Sequence, residues 1–305
     1  MKPIRKLKEL VEVVKGKPIQ KIAVANGHDP HTIRATFKAA KENLVDVTLV
    51  GDRNRVERLC SEFNLDTSVF EIIDCCNVKE AGRIARDLVK KGDVGILMKG
   101  LMSSDVYMKL ILDKKEGLLP EGNILSHVTV LEVPSYSKLL FVSDVAVLPK
   151  PDLMQKVQML NYCIEVAHAF GISEPKAAII AATEKVTAKM PATLDGATIA
   201  KMAARGQIKG VVVDGPLALD IAVDKEACEI KGFKSPVGGE ADILIFPNIE
   251  TGNVFFKSLT KFAGSSLAGM VVGTIAPCIL TSRADSEDSK FYSVAMAALM
   301  GGSNV

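Results

Sequence analysis

GGEADILIFPNIETGNVFFKSLTKFAGSSLAGMVVGTIAPCILTSRADSEDSKF, residues 238–291, contains two short apolar runs, each followed by a polar loop and the start of a helix. The runs Asp242–Phe246 and Cys278–Leu280 have the length and composition of fully buried strands. A loop between the carboxyl end of a strand and a helix N-terminus offers free backbone N–H groups to an anion. Arg283 in the second loop adds a guanidinium, whose planar fork suits phosphate. The stretch therefore predicts buried strands with an anion site at their carboxyl ends.

Each loop taken alone has an ordinary structural explanation. Asn253 in the first loop, residues 247–253, would serve as a helix cap. Arg283 in the second loop, residues 281–286, would form a surface salt bridge. The two loops together indicate an anion site more specifically than either loop alone. The helix cap and the salt bridge stay open as alternatives at this point.

Strand and helix patterns alternate along the rest of the chain. An amphipathic helix opens it, with apolar residues at helical spacing from Ile4 to Val14, and Gly16 ends this helix. Strands that alternate with helices predict a parallel, doubly wound sheet, whose ligands lie at the carboxyl ends of the strands. Residues 126–133 and 138–142 break the pattern as an antiparallel pair, where we expect the chain to cross between domains. Other predicted strands are 21–25, 45–50, 70–73, 94–98, 176–181 and 210–213, and predicted helices are 31–42, 54–63, 79–91, 104–112, 152–170, 194–205 and 255–262.

The composition limits the class of protein. A chain of 305 residues is long enough for two domains, and 48% hydrophobic with 5% aromatic residues predicts a core of Ala, Val, Ile and Leu. The net charge of +2 gives no support for nucleic acid or a membrane surface as a partner. No apolar run reaches the ~18 residues of a membrane span. Six scattered cysteines without metal spacing, and no signal peptide, predict a cytoplasmic protein.

Five segments carry a family resemblance. ADILIFPNIETGN (241–253), followed by a Ser-Arg loop, resembles the phosphate acetyltransferase/phosphate butyryltransferase family. KIAVANGHDPHTIRA (21–35) and DGPLALD (214–220) are similar to further segments of that family. The sequences LTSRADS (280–286) and GNILSHVTVLEVP (122–134) are more similar to the butyryl branch than to the acetyl branch. The resemblance extends over nearly the whole chain.

The resemblance implies both a fold and an activity. The fold is α/β, with two doubly wound, three-layer domains and a cleft between them, as in isocitrate and isopropylmalate dehydrogenases. The expected domains are residues 1–140 and 141–274, with 275–305 returning to the first domain. The activity is reversible transfer of a short-chain acyl group, butyryl by this resemblance, between coenzyme A and inorganic phosphate. Direct thiolate attack in a ternary complex needs no metal and no tightly bound cofactor, since coenzyme A is a substrate.

The resemblance also implies three catalytic residues. Ser282 and Arg283 match the family's Ser-Arg pair. Arg283 would bind the phosphoryl group, and Ser282 would donate a hydrogen bond to the thiol or the developing oxyanion. The acetyl branch carries an Asp seven residues after its Ser, at the place of Ser289 here, so the general base is assigned to Asp288, one residue earlier. An acidic residue in the first turn of a helix is the structural alternative for Asp288.

Six further residues are candidates for binding phosphate or substrate. Lys99 and Ser104 belong to the segment MKGLMSS, where a Lys, a Gly and two hydroxyls precede a helix and suit an anion. Lys109 stands where family members usually carry Arg, and it offers a point charge in place of a fork. His127 in its predicted strand is either a buried histidine with a backbone partner or a substrate contact. The other two candidates, both in the first loop, are Gly252 and Asn253.

His28 and His31 raise the question of a metal. They are separated by Asp29 and Pro30 in a predicted loop, and no third ligand is evident in the sequence. We interpret the segment as a cap and turn before a helix, and we predict no metal site.

Three alternative functions stay open. The first is a phosphate acetyltransferase. The second is a catalytically silent protein that binds acyl-CoA or phosphate and regulates a partner, and the presence of the Ser-Arg pair and Asn253 favours the enzyme over it. The third is a decarboxylating dehydrogenase on a similar frame, which lacks the support of a metal-binding Asp cluster.

The expected partners are acyl-CoA, inorganic phosphate and acyl phosphate. We also expect a homo-oligomer, because Ala295–Gly302 is apolar enough for an interface helix and the family resemblance agrees. Burial of this helix inside the monomer is the equally ordinary alternative.

Overall fold

The structure, a computed structural model, describes residues 2–282 and 285–301, and its contacts divide the chain into two units. The N-terminal unit contains Leu7–Leu125 and the described residues from Ala268 onward. The central unit contains residues 2–6 and Ser126–Leu267. The chain therefore passes from one unit to the other at residues 6/7, 125/126 and 267/268.

Helices and strands alternate along the chain, as the sequence predicted, in a mixed α/β fold. The helices are α1 (Leu7–Lys15), α2 (Pro30–Lys41), α3 (Arg53–Glu62), α4 (Val78–Lys91), α5 (Ser104–Ile111), α6 (Leu153–Ala169), α7 (Pro191–Ala204), α8 (Leu219–Val223), α9 (Lys225–Ile230), α10 (Ile249–Phe262) and α11 (Glu287–Gly301). The strands are β1 (Gln20–Ala25), β2 (Val45–Gly51), β3 (Phe70–Asp74), β4 (Ile96–Lys99), β5 (Ser126–Glu132), β6 (Leu139–Ser143), β7 (Lys176–Ile180), β8 (Val212–Leu217), β9 (Ile243–Ile245), β10 (Ser266–Val272) and β11 (Cys278–Ile279).

The sheet of the N-terminal unit has the order β3-β2-β1-β4-β11-β10. The first five of these strands are parallel, and β10 pairs antiparallel with β11. Parallel strands place their carboxyl ends at one edge of the sheet, so the loops after β1, β4 and β11 lie together there. The sequence did not predict β10, because its Ser, Ala and Gly residues are weak strand formers.

The sheet of the central unit has the order β5-β6-β9-β7-β8. Strands β5 and β6 are antiparallel, with Thr129 opposite Val142, which confirms the predicted hairpin. The remaining pairs are parallel. Because β6 also pairs with β9, both hairpin strands belong to the central unit. The boundary of the units therefore lies at 125/126, whereas the sequence placed a domain boundary at 140/141.

Two helices begin at positions that differ from prediction. Helix α1 begins at Leu7, and the backbone N–H of Ile4 donates to the carbonyl of Phe170 at 2.9 Å within the central unit. Helix α10 begins at Ile249, well before the predicted residue 255, because the side chain of Asn248 caps it by accepting from the N–H of Thr251 at 2.9 Å. Gly252 and Asn253 therefore lie inside the helix and not in a loop.

Helix α11 is buried within the N-terminal unit. Its residues Ala295–Met300 are each at most 6% exposed. Burial inside the monomer, the alternative given above, is therefore what the structure shows for 295–300, and Gly302 lies outside the described residues. No helix of the described chain is long and apolar enough to span a membrane.

Candidate functional site

The loops after β1 and β4 are joined at the carboxyl edge of the N-terminal sheet. The N–H of Gly100 donates to the carbonyl of Ala25 at 2.9 Å, and that of Leu101 donates to Asn26 at 2.7 Å. Asn26 adopts φ 58 at the end of β1, and its amide nitrogen donates to the carbonyl of Leu101. A Cβ at position 100 would lie 2.8 Å from the carbonyl carbon of Asn26, so only glycine permits this approach.

A cavity of about 190 Å³ lies at this edge. Its lining residues are Asp29, Pro30, His31, Lys99, Gly100, Leu101 and Lys290. Lys99 is only 3% exposed, and its ammonium donates to the carbonyls of Met102 at 3.2 Å and Gly100 at 3.4 Å. The structure thus places Lys99, a residue that the sequence singled out, in the wall of a cavity.

Lys290 of α11 is the second buried lysine of the cavity, and the sequence analysis missed it. It is 3% exposed, and its ammonium donates to the hydroxyl of Thr281 at 3.0 Å and to the carbonyl of Ser282 at 3.2 Å. Burial lowers the pKa of Lys290, while the charges of Asp29 and Asp285 oppose that shift. A lysine at the head of the apolar helix that runs to Met300 was the signal available in the sequence.

Ser282 stands beside this cavity wall in an exposed turn. Its N–H donates to Oδ2 of Asp285 at 2.7 Å, and its carbonyl accepts from the N–H of Asp285 at 3.2 Å. Asp285 is therefore bound to Ser282 through both its side chain and its backbone. Arg283, the predicted phosphoryl ligand, lies outside the described residues, so its role stays a prediction.

Asp288 lies in the first turn of α11 and faces α2. Its side chain is 68% exposed and forms an ion pair with Lys38 at 3.3 Å. The neighbouring Glu287 pairs in the same way with Arg34 at 3.4 Å. Lys38 also lies over the ring of Phe291, 4.2 Å from its centroid. These contacts agree with the structural alternative given for Asp288, a first-turn acid that also ties α11 to α2.

Ser104 and Lys109 lie on the surface of α5, and neither belongs to the cavity lining. Ser103, not Ser104, caps the helix by accepting from the N–H of Val106 at 3.3 Å. Ser104 is the first residue of the helix and Lys109 stands in its last turn, both exposed. The two side chains are therefore available to a ligand outside the cavity.

The other three predicted residues meet in the central unit, around a segment that follows β6. The carboxylate of Asp144 accepts from the N–H of His127 at 3.1 Å. The amide nitrogen of Asn253 donates to the carbonyl of Val145 at 2.9 Å, and Gly252 lies against the carbonyl of Asp144. The structure thus brings His127, Gly252 and Asn253 together, and each of them contacts the segment 144–145.

Asp144 is the centre of this second group, and it was not among the residues singled out from the sequence. It is 1% exposed. Its two carboxylate oxygens also accept from the hydroxyl of Ser126 at 2.8 Å and from the N–H groups of Ala146 and Val147 at 2.7 and 2.8 Å. These hydrogen bonds from β5 and from the following residues fix the turn that begins at Asp144. The imidazole Nδ1 of His127 lies 3.1 Å from the hydroxyl of Thr129.

The segment around His28 and His31 caps a helix, as predicted. The side chain of Asp29 accepts from the N–H of Thr32 at 3.0 Å, and Pro30 begins α2. Nδ1 of His28 accepts from the N–H of Asp52 at 3.2 Å, and Nε2 lies 3.4 Å from Arg55. Burial and the charge of Arg55 lower the pKa of His28. Within residues 2–282 and 285–301, no three His, Cys, Asp or Glu side chains form a group that could hold a metal ion.

These features define an α/β protein with a cationic cavity at the carboxyl ends of parallel strands. The chain belongs to the phosphate acetyl/butaryl transferase family, whose sequence model matches residues 6–91 and 77–298. It is 44% identical to the phosphate butyryltransferase of Clostridium acetobutylicum, over 98% of this chain and 99% of the relative. It is 43% identical to the phosphate acetyltransferase of Thermotoga maritima, over 96% of this chain and 99% of the relative.

A solved structure shows the same fold. The crystal structure of a branched-chain phosphotransacylase from Enterococcus faecalis V583 superimposes with a TM-score of 0.82 at 31% identity. The match covers 93% of this chain and 99% of that one. The similarity in sequence and in structure therefore spans both units.

Proposed function

We propose that the protein transfers a short-chain acyl group, butyryl in the first instance, reversibly between coenzyme A and inorganic phosphate. The observation that carries this proposal is the end-to-end similarity to a phosphate butyryltransferase, because it includes both units and the Ser282 loop. The cavity supports it, since two buried ammonium groups are the chemistry that a phosphoryl group requires.

The proposed reaction is a direct displacement. The thiolate of coenzyme A attacks the carbonyl carbon of the acyl phosphate, the C–S bond forms, and the C–O bond to phosphate breaks with its electron pair on the leaving oxygen. The reverse direction begins with attack of a phosphate oxygen on the thioester. Both substrates bind together, so proximity supplies part of the rate and no metal or tightly bound cofactor takes part.

Three residues are proposed to act on the reacting atoms. Arg283 binds the phosphoryl oxygens, and Ser282 donates a hydrogen bond to the sulfur or the developing oxyanion. Asp288 is the proposed base for the thiol, since its carboxylate is exposed and is therefore accessible to a substrate. A thiol of pKa ~8.5 needs little help near neutral pH.

The remaining candidates are proposed to bind and to position. Lys99 binds the phosphoryl group inside the cavity. Ser104 and Lys109, exposed on α5, contact the phosphates of coenzyme A. His127, Gly252 and Asn253 hold the segment 144–145 in place through the contacts given above, and His127 adds a substrate contact.

The frame and cellular setting are part of the same proposal. We infer the frame of isocitrate and isopropylmalate dehydrogenases, with two doubly wound domains and a cleft that receives the substrates. Free thiols at all six cysteines support a cytoplasmic protein without nucleic-acid or membrane partners. A homo-oligomer is supported by the exposed side chains of Val254 and Phe262 on α10, at 64% and 91% exposure. Sedimentation at micromolar concentration tests it.

Release of coenzyme A thiol from butyryl-CoA on addition of phosphate tests the function. We expect release that depends on phosphate, that persists in a chelator and that is faster than with acetyl-CoA. Acetyl-CoA turned over equally fast would favour the acetyltransferase, and isobutyryl-CoA would reveal a preference for branching. Binding of acyl-CoA without any release would leave the silent regulatory protein as the better explanation.

A further inference from the structure

Lys290 carries a charge that the roles given so far do not use. A buried ammonium is costly unless paired or hydrogen-bonded, and such a group is kept for a reason that stability alone does not supply. An ammonium has three N–H donors. Within the described residues, Lys290 donates to Thr281 and Ser282, which leaves one donor for whatever occupies the cavity.

The charge balance of the cavity favours an anion. Lys99 and Lys290 both line it and are both 3% exposed. Asp29 is the one carboxylate among the lining residues, and it already accepts the N–H of Thr32 as a helix cap. Among the described lining residues, two ammonium groups therefore stand against one carboxylate, and this excess of positive charge favours a small oxyanion.

The size of the cavity limits the anion. Its volume is about 190 Å³. Pockets for larger organic ligands begin near ~300 Å³. The cavity thus has room for one oxyanion of the size of phosphate, and its volume is below that of typical sites for larger organic ligands.

We propose that Lys290 and Lys99 together form the binding site for inorganic phosphate, and that Lys290 also holds Ser282 next to that phosphate. This inference rests on the proposed acyl transfer in one respect, namely that the bound anion is a substrate of the reaction. One side chain thus links the bound oxyanion to the backbone that precedes Arg283. In the direction of acyl phosphate formation, Lys290 presents the phosphate whose oxygen attacks the thioester carbonyl.

The test measures binding of inorganic phosphate alone, by calorimetry, in the wild type and in Lys290→Met. Methionine keeps the length and removes the charge. We expect affinity for phosphate to fall at least about tenfold, the effect of one lost charged hydrogen bond, and KM for phosphate to rise in parallel. KM for butyryl-CoA should change less than about twofold, since the cavity is assigned to phosphate and its volume is small for coenzyme A.

Two control variants separate this role from a structural one. Lys156→Met removes another buried lysine, paired with Asp195 at 2.6 Å in the central unit, and should leave phosphate affinity unchanged. Thr281→Val removes one hydrogen bond of Lys290 but keeps its charge, so phosphate affinity should stay within about threefold. An equal loss of affinity in Thr281→Val and Lys290→Met would overturn the proposal.

Crystals of the wild type soaked in arsenate, an anomalous scatterer with the shape of phosphate, give a test that does not depend on a variant that folds. We expect arsenate between the ammonium groups of Lys99 and Lys290. Arsenate bound elsewhere, with this cavity empty, would refute the proposed phosphate site. Phosphate that binds through Lys290 in a protein without transferase activity would reject the proposed function and keep the site. Acyl transfer by the wild type, together with unchanged phosphate binding in Lys290→Met, would keep the proposed function and reject the site.

Discussion

The ammonium of Lys290 donates to the carbonyl of Ser282 at 3.2 Å, so helix α11 holds the residue that directly precedes Arg283. The same ammonium reaches the hydroxyl of Thr281 at 3.0 Å. Two consecutive residues at the end of β11 are thus tied to one buried charge. The position of Ser282 is therefore set by the packing of α11 and not by the loop alone.

Arg283→Ala should lower turnover by about two decades or more, the loss of ~3 kcal/mol typical of one donor to developing charge. Phosphate should bind more weakly, while affinity for coenzyme A changes little. Arg283→Lys should recover only part of the rate, because a point charge cannot form two parallel hydrogen bonds. Steady-state kinetics with phosphate and butyryl-CoA varied separately would measure this. A folded and fully active Arg283→Ala protein would remove Arg283 from the mechanism.

Asp288→Asn should lower the transfer rate by ~10²-fold or more if this carboxylate is the general base. Lys38→Met is the matched control, because it breaks the 3.3 Å ion pair and leaves the carboxylate in place. Thiol release from acyl-CoA, followed against pH in both variants, would distinguish them. Equal and small effects would show that the pair only joins α11 to α2, and that another group accepts the proton.

Gly252→Ala should destabilise the central unit. An added Cβ would fall on the carbonyl of Asp144 and lie 2.9 Å from the ring of Phe246, so the buried turn must move. Overpacking of this kind costs ~1–3 kcal/mol, and each kcal/mol lowers Tm by roughly 2–4 °C in a domain of this size. Gly16→Ala is the control, since its Cβ would meet only the carbonyl of Val13 at 3.6 Å. Thermal unfolding that is identical in both variants would contradict the packing argument.

His28 should make stability depend on pH. Its pKa in the folded protein is lowered, first by burial and then by Arg55, so the unfolded chain binds the proton more strongly. The stabilisation is complete above the unfolded pKa of ~6.5 and is lost as the pH falls from there through the folded pKa. His28→Asn keeps an acceptor for the N–H of Asp52 but does not titrate, so its Tm should fall less on acidification.

The control for this experiment is His31→Asn, an exposed histidine three residues away on the same segment. It should keep the pH dependence of the wild type. Differential scanning calorimetry between pH 7 and pH 5 would compare the three proteins, and a wild-type slope in His28→Asn would exclude His28 as the cause.

The alternation of strands and helices was predictable because it depends on local apolar patterns. Residues such as Ile22–Ala25 and Leu97–Met98 are buried on both faces of their strands and read as continuous apolar runs. Strand β10 was not predictable in this way, since Ser266, Ala268 and Gly269 do not favour a strand by themselves. Its identity comes from pairing with β11, which is a tertiary effect.

The candidate site was predictable only in part, for a related reason. Lys99 stands at the carboxyl end of β4 and Ser282 follows β11, and general rules for α/β sheets point to such positions. Lys290 stands inside a helix, and its neighbours Thr281 and Lys99 become visible only when the helix packs. Asp144 likewise acquires its role from donors on β5 and on its own turn.

Because the chain leaves the N-terminal unit and returns to it, the cationic cavity is completed late in synthesis on the ribosome. Lys99 and helix α2 are synthesised early. Thr281 and Lys290 are synthesised only after the whole of Ser126–Leu267 has been made. The central unit can therefore mature while the N-terminal sheet still lacks β10 and β11. A nascent chain that lacks β11 and α11 would carry Lys99 but not Lys290, so the pair of lysines forms only after α11 has been made.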